Sequence, residues 1–195
     1  MRKIPPDLEN PIDNLIIASA HPTTTMLKKL NMTPNGITTL SLIFGMLAVV
    51  FLAVGRVWLA VISYAISYFF DNVDGYYARR YKMCSQGGDM YDHIKDWIVF
   101  GLFITVFYIR NRHKLTTGKW LVIAGILVFF AITTWVQMSA QEAWHGKSEN
   151  SPTLDFLNFI KDKKQAESVL KVTRYFGCGS YILVLLLIVL IVESK

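Results

Sequence analysis

The chain has 195 residues, a formal net charge of +6, 53% hydrophobic residues and only 17% charged ones, with a mean hydropathy of +0.37. A water-soluble domain of that length does not need so much apolar sequence, which excludes the soluble classes as first readings. It also assigns the positive balance to the cytosolic loops of a membrane protein rather than to a nucleic-acid partner, and no nucleic acid is expected.

The N-terminal stretch "MRKIPPDLENPIDNLII" has no long apolar core and no small-residue cleavage site, so it does not read as a signal peptide. Residues 7–30 mix apolar "IDNLIIA" with polar and basic flanks, which predicts a helix lying on the membrane surface, anchored by Lys28 and Lys29. The "NMT" at Asn31 fits the glycosylation pattern but stands at the mouth of the next helix, and is read as chance. Asn35 to Gly55 is almost free of charge and near the ~20 residues that cross a bilayer, with Pro34 suited to its first turn. Spans over Val57–Tyr81 and Gly88–Ile109 reach crossing length only by taking in "DNVDGYYARRYKMCSQGGDMYDHIKD", residues 71–96. A fourth span covers Lys119–Ala140 and a last one Phe176–Val192, with a polar segment between them that holds a short helix around "TLDFLNFIKD".

Lipid leaves no partner for unpaired backbone groups, so these spans are helices. The expected architecture is an all-α integral membrane protein, a bundle of five or six transmembrane helices with an N-terminal interfacial amphipathic helix. It is a single domain over 1–195, with 1–33 interfacial and 34–195 in the bundle. A sixth span would come from 153–170 or from counting the surface helix. Cys84 and Cys178 give no disulfide framework. Placing the N-terminus, the Arg79–Lys82 turn and residues 140–174 in the cytosol puts 14 of the 20 Lys and Arg on that side, with the Arg110–Lys119 loop as a local violation.

Residues 71–96 place carboxylates where membrane is expected, and near-membrane charges mark function. Asp71 and Asp74 are three apart and share a helix face, which Gly75 and Ala78 continue almost bare. Asp92 and Asp96 share a face of the next helix, with Gly88 one turn earlier. The turn "YKMCSQG" folds the second helix back along the first, so the two acidic faces can meet. Four facing carboxylates need cations, and Mg²⁺ suits a few carboxylates plus substrate phosphates. Two such ions could bridge a diphosphate and an attacking oxygen. Gly75, Ala78 and Gly88 leave room for a bulky ligand against the backbone, and Arg79 offers a fork for phosphate.

Written out, the stretch is D-x-x-D-G-x-x-A-R, eight residues, then G-x-x-x-D-x-x-x-D. It resembles the CDP-alcohol phosphotransferase (CDP-alcohol phosphatidyltransferase) family, with Asp71, Asp74, Gly75, Ala78, Arg79, Gly88, Asp92 and Asp96 filling every fixed place. The resemblance implies transfer of a phospho-alcohol group from a CDP-alcohol to a second alcohol with release of CMP, in phospholipid synthesis. It implies two Mg²⁺ or Mn²⁺ ions on Asp71, Asp74, Asp92 and Asp96, and Asp96 as the base on the attacking hydroxyl. CDP would lie against Asp71, Asp74, Gly75, Ala78, Arg79 and Gly88, with Asn35 and Thr38 added by a Pro-Asn pair near the start of the first span. "DHIKD" also resembles the D-H-x-x-D form of choline and ethanolamine phosphotransferases, which makes His93 a second candidate base. Those enzymes are about twice as long. The expected partners are a CDP-alcohol, an acceptor alcohol, the lipid membrane and a second copy in a homodimer. The active site is expected at the cytosolic face, of the endoplasmic reticulum in a eukaryote or of the inner membrane in a bacterium.

Two rivals stand beside this reading. Membrane prenyltransferases also hold a diphosphate with D-x-x-D helices, but on helices several spans apart. A non-enzymatic divalent-cation carrier would want its acids near the bilayer middle, whereas Asp71 and Asp96 lie toward one end of their helices. A carrier also has no use for the G-x-x-A-R continuation.

Overall fold

The structure, a computed structural model, describes residues 2–145, 160 and 162–193. Its described residues form α1 (Pro11–Lys29), α2 (Pro34–Ala53), α3 (Val57–Arg80), α4 (Gln86–Asn111), α5 (Thr117–His145), α6 (Lys163–Thr173), a 3-10 turn (Arg174–Phe176) and α7 (Cys178–Glu193). There is no strand among them. The all-α membrane architecture expected from hydropathy is what the chain adopts.

The helix ends follow local chemistry. Thr33 caps α2 by accepting from the Gly36 N–H, and Ser85 caps α4 by accepting from the Gly88 N–H at 3.1 Å. Three helices close with a residue in the left-handed region whose successor bonds back five positions. These residues are Asn31 after α1, Gly55 after α2 and Lys82 after α3. Glycine meets this demand freely at 55, where φ is +77°. Lys82 adopts φ 56° at a cost of about 1 kcal/mol, and so makes the sharp turn that sends α4 back along α3.

Helices α2, α5 and the stretch Lys163–Glu193 are apolar and long enough to cross a membrane by composition alone. At 24 and 26 residues α3 and α4 also have the length, but they carry the aspartates in their motif halves. The sixth span looked for within 153–170 is not formed by α6: its 11 residues rise only about 17 Å, against a hydrocarbon core near 30 Å. Most of "TLDFLNFIKD" lies outside the described residues. Helix α6 instead lays Ala166 and Leu170 against Ala140 of α5 and Ile4 and Leu8 of the N-terminal segment.

The core is a four-helix seam. Ala48, Val49 and Leu52 of α2 meet Ala60 and Tyr64 of α3, Val99, Phe103 and Phe107 of α4, and Leu185, Leu186 and Val189 of α7. Lipid removes most of the hydrophobic drive between helices, so close packing of small residues has to supply the attraction. Gly45 shows it: a Cβ there would stand 2.7 Å from Val99 Cγ1. Across the same contact Ser41 Oγ donates to the Ser67 carbonyl at 2.9 Å and Ser67 Oγ donates to the Ser41 carbonyl at 2.8 Å. Such interhelical bonds are worth roughly 0.6–2 kcal/mol each, and they hold α2 and α3 in register just below the aspartates.

The expected N-terminal helix forms over Pro11–Lys29. Its buried stripe, Asp13, Ile17, Ala20, Thr24 and Leu27, has helical period. It packs along the motif half of α3: Tyr68 donates to Asp13 Oδ1 at 2.6 Å, and Arg80 donates to the His21 carbonyl and to Thr24 Oγ1. Burial pushes the Asp13 carboxyl up to about 7. The helix thus braces the end of α3 that carries the motif.

Candidate active site

The turn after Lys82 sets α3 and α4 antiparallel, and the two acidic faces meet at one end of the bundle. Asp71, Asp92 and Asp96 each present a carboxylate oxygen within 4.8 Å of the others, a spacing one cation can bridge. Asp74 is buried on the side of α2, where Thr38 Oγ1 donates to its Oδ2 at 2.6 Å. Thr38 therefore orients a motif aspartate.

Beside the carboxylates lies a cavity of about 280 Å³, at the low end of small-molecule sites. Asp74 and Asp92 form one part of its wall, and Asn35, Thr38 and His93 continue it. Gly75, Ala78, Arg79 and Gly88 also line it. The bare strip is tight as well as open. A Cβ on Gly75 would stand 3.1 Å from Arg79 Nη1, so the guanidinium lies across that glycine. A Cβ on Gly88 would stand 3.1 Å from Asn35 Oδ1. All eleven expected residues therefore gather in one region, nine of them on the cavity wall. Asp71 and Asp96 do not line the cavity; they stand with Asp92 around Lys95.

His93 is a half-buried member of the wall. Its Nδ1 lies 2.8 Å from the Asp89 carbonyl one turn back, which can only accept, so Nδ1 is the donor there. Asp89 itself, a first-turn acid of α4, also lines the cavity.

Several residues here have no counterpart in the sequence reading. Lys95 lies against Asp71, against Asp96 at 2.7 Å and against Asp92 at 3.2 Å, with its side chain 1% exposed. The spacing sets Lys95 three residues from Asp92 on the same face, but not against Asp71 of the neighbouring helix. Lys3, Glu142 and His145 also border the cavity, and Lys3 pairs with Glu142. Only the tertiary fold brings the N-terminus and the end of α5 together, so no local pattern announces them.

The donor set suits a hard divalent cation: every candidate ligand is a carboxylate oxygen, and Asp92 Oδ1 is buried with no hydrogen bond. No curated protein and no solved structure matches the chain. The family model described as CDP-alcohol phosphatidyltransferase matches residues 31–192, from the mouth of α2 almost to the end of α7, and the chain belongs to that family.

Proposed function

We propose that the protein transfers a phospho-alcohol group from a CDP-alcohol to a second alcohol and releases CMP, in the synthesis of a phosphodiester lipid. The observation that carries this is the convergence of four aspartates from α3 and α4 at one end of the bundle, beside a cavity walled by Gly75, Ala78 and Arg79. Membership in the family supports head-group transfer from a CDP-alcohol as the reaction class.

In this reading the acceptor's hydroxyl oxygen attacks the phosphorus that carries the donor alcohol. The bond between that phosphorus and the oxygen bridging the two phosphates breaks, and CMP leaves with that oxygen. Asp71, Asp74, Asp92 and Asp96 would hold Mg²⁺ or Mn²⁺, two ions by the motif, which neutralise the diphosphate. Arg79 would pair with a phosphate oxygen, as its planar fork suits. Gly75, Ala78 and Gly88 keep the wall low enough for the nucleotide, and Asn35 and Thr38 close the α2 side. The acceptor's proton goes to Asp96, with His93 as the competing base because it lines the cavity. The site faces the cytosol in the orientation that places most Lys and Arg there, and the protein works as a homodimer.

The test is CMP release by purified protein in nanodiscs. A lipid-linked CDP donor is offered with inositol, serine or glycerol phosphate, and a CDP-headgroup donor with diacylglycerol. CMP should appear one-for-one with a new phosphodiester for one pairing. Release of inorganic diphosphate from a prenyl diphosphate would point to the prenyltransferase reading instead. Cation flux without any CMP would point to the carrier.

A further inference from the structure

The cluster of Asp71, Asp92 and Asp96 is centred on a charge of the chain's own. The Lys95 ammonium makes ion pairs with all three and also donates to Ser41 Oγ at 3.1 Å. Its side chain is 1% exposed, so it is built into the helix interface rather than lying over it. Asp92 Oδ1 is within ion-pair reach of Lys95 and still has no hydrogen bond. Asp74 bonds to Thr38 and makes no ion pair with Lys95. The two cation positions that four carboxylates invite are therefore unequal. One, at the cavity, has Asp74 and Asp92 on its wall. The other, at Asp71 and Asp96, already contains an ammonium.

We propose that Lys95 is a resident cation of the site. It holds Asp71, Asp92 and Asp96 together before any metal arrives. It leaves the cavity side free for a first divalent ion, and it opposes a second ion at Asp71 and Asp96 until its ammonium moves aside. The inference rests on the divalent-cation reading above. Its physical basis is the repulsion between a unit charge and a divalent ion a few ångströms away, which at the effective dielectric of a protein interior exceeds a tenfold effect on affinity.

The experiment is a titration of chelator-stripped protein with Mn²⁺ alone, following the free-ion signal by electron paramagnetic resonance. In the wild type the first Mn²⁺ should bind at least ~10-fold more tightly than the second. Lys95→Met, which keeps bulk and removes charge, should tighten the second site by at least ~10-fold. A second site too weak to see in the wild type but visible in Lys95→Met is the same result at its limit. Lys95→Gln repeats the test with hydrogen bonding kept, should Met at this position disturb packing. Two Mn²⁺ binding the wild type with equal affinity overturns the inference whatever the variants do, and leaves the metal reading intact. A Lys95→Met titration that superimposes on the wild type overturns it too. No Mn²⁺ bound by the wild type removes the metal reading and this inference together.

Discussion

Helix α4 carries charge at both ends, and the two ends differ in balance. At the far end of α4, Arg110 donates to both Glu193 oxygens at 3.0 and 3.1 Å, and Asn111 donates to Oε1 at 2.7 Å. Lys114 stands 3.5 Å away, and Arg110 also caps the last turn of α2 through the Ala53 carbonyl. One acid there meets two cations and an amide. At the motif end three acids surround one ammonium, and a fourth, Asp74, is held by Thr38. Glu193 is a clamp that satisfies itself. The Lys95 cluster has more carboxylates than cations, which suits the divalent ions proposed for it. Charge in a membrane protein thus has to be read by its balance.

The largest effect should come from removing the missing charge. Chelation should abolish CMP release, Mg²⁺ or Mn²⁺ should restore it, and Ca²⁺ should restore it poorly because its looser coordination misplaces the phosphates. Full turnover in excess chelator would erase the difference between the two ends.

Next comes the base. Asp96→Asn should lower turnover at least ~100-fold, the usual scale for a lost general base. His93→Ala should lower it less. If His93→Ala matches Asp96→Asn while metal and CDP affinities stay unchanged, histidine is the base and diacylglycerol becomes the favoured acceptor.

Smaller, and confined to binding, is the effect on the cavity wall. Gly75→Leu drives a side chain into the Arg79 guanidinium, and should weaken CDP binding at least ~10-fold while the protein still inserts, since an overpacked site typically costs 1–3 kcal/mol. Ala78→Leu should act in the same direction. Unchanged CDP affinity in calorimetry would move the nucleotide off this face.

The smallest effect on chemistry is expected at the clamp. Glu193→Gln removes a charge that three donors share, costing about 1.5–3 kcal/mol for the charged hydrogen bonds and lowering the melting temperature by roughly 3–10 °C. CMP release per folded molecule should not change. A large loss of turnover in this variant would couple the two ends, which the comparison keeps separate.

Much of this was legible before the fold. Pro34 and Thr33 mark the start of α2, and the fixed spacing from Asp71 to Asp96 puts four acids on two facing helix surfaces whatever the surroundings. Those are local signals. Helix α5 runs on to His145, past the end set by hydropathy at Ala140, because its last turn is held by the N-terminal segment: Gln141 donates to Glu9 Oε1 at 3.1 Å and Lys3 pairs with Glu142. Contacts between the two ends of a chain leave no periodicity to find. Lys95 was hidden differently. In the sequence it is one basic residue among those gathered on one side, and only the geometry turns it into the centre of the cluster. The division of the carboxylates between the cavity wall and the Lys95 cluster was hidden for the same reason, since helical spacing gives the shared face but not what fills it.

The central claim is that cations at the motif end bind the diphosphate of a CDP-alcohol. Calorimetric titration of CDP into purified protein, with Mg²⁺ in excess and then with chelator in excess, tests it most directly. The account predicts binding with Mg²⁺ and at least ~10-fold weaker binding in chelator, since the carboxylates then repel the diphosphate. Equal affinity under the two conditions would contradict it.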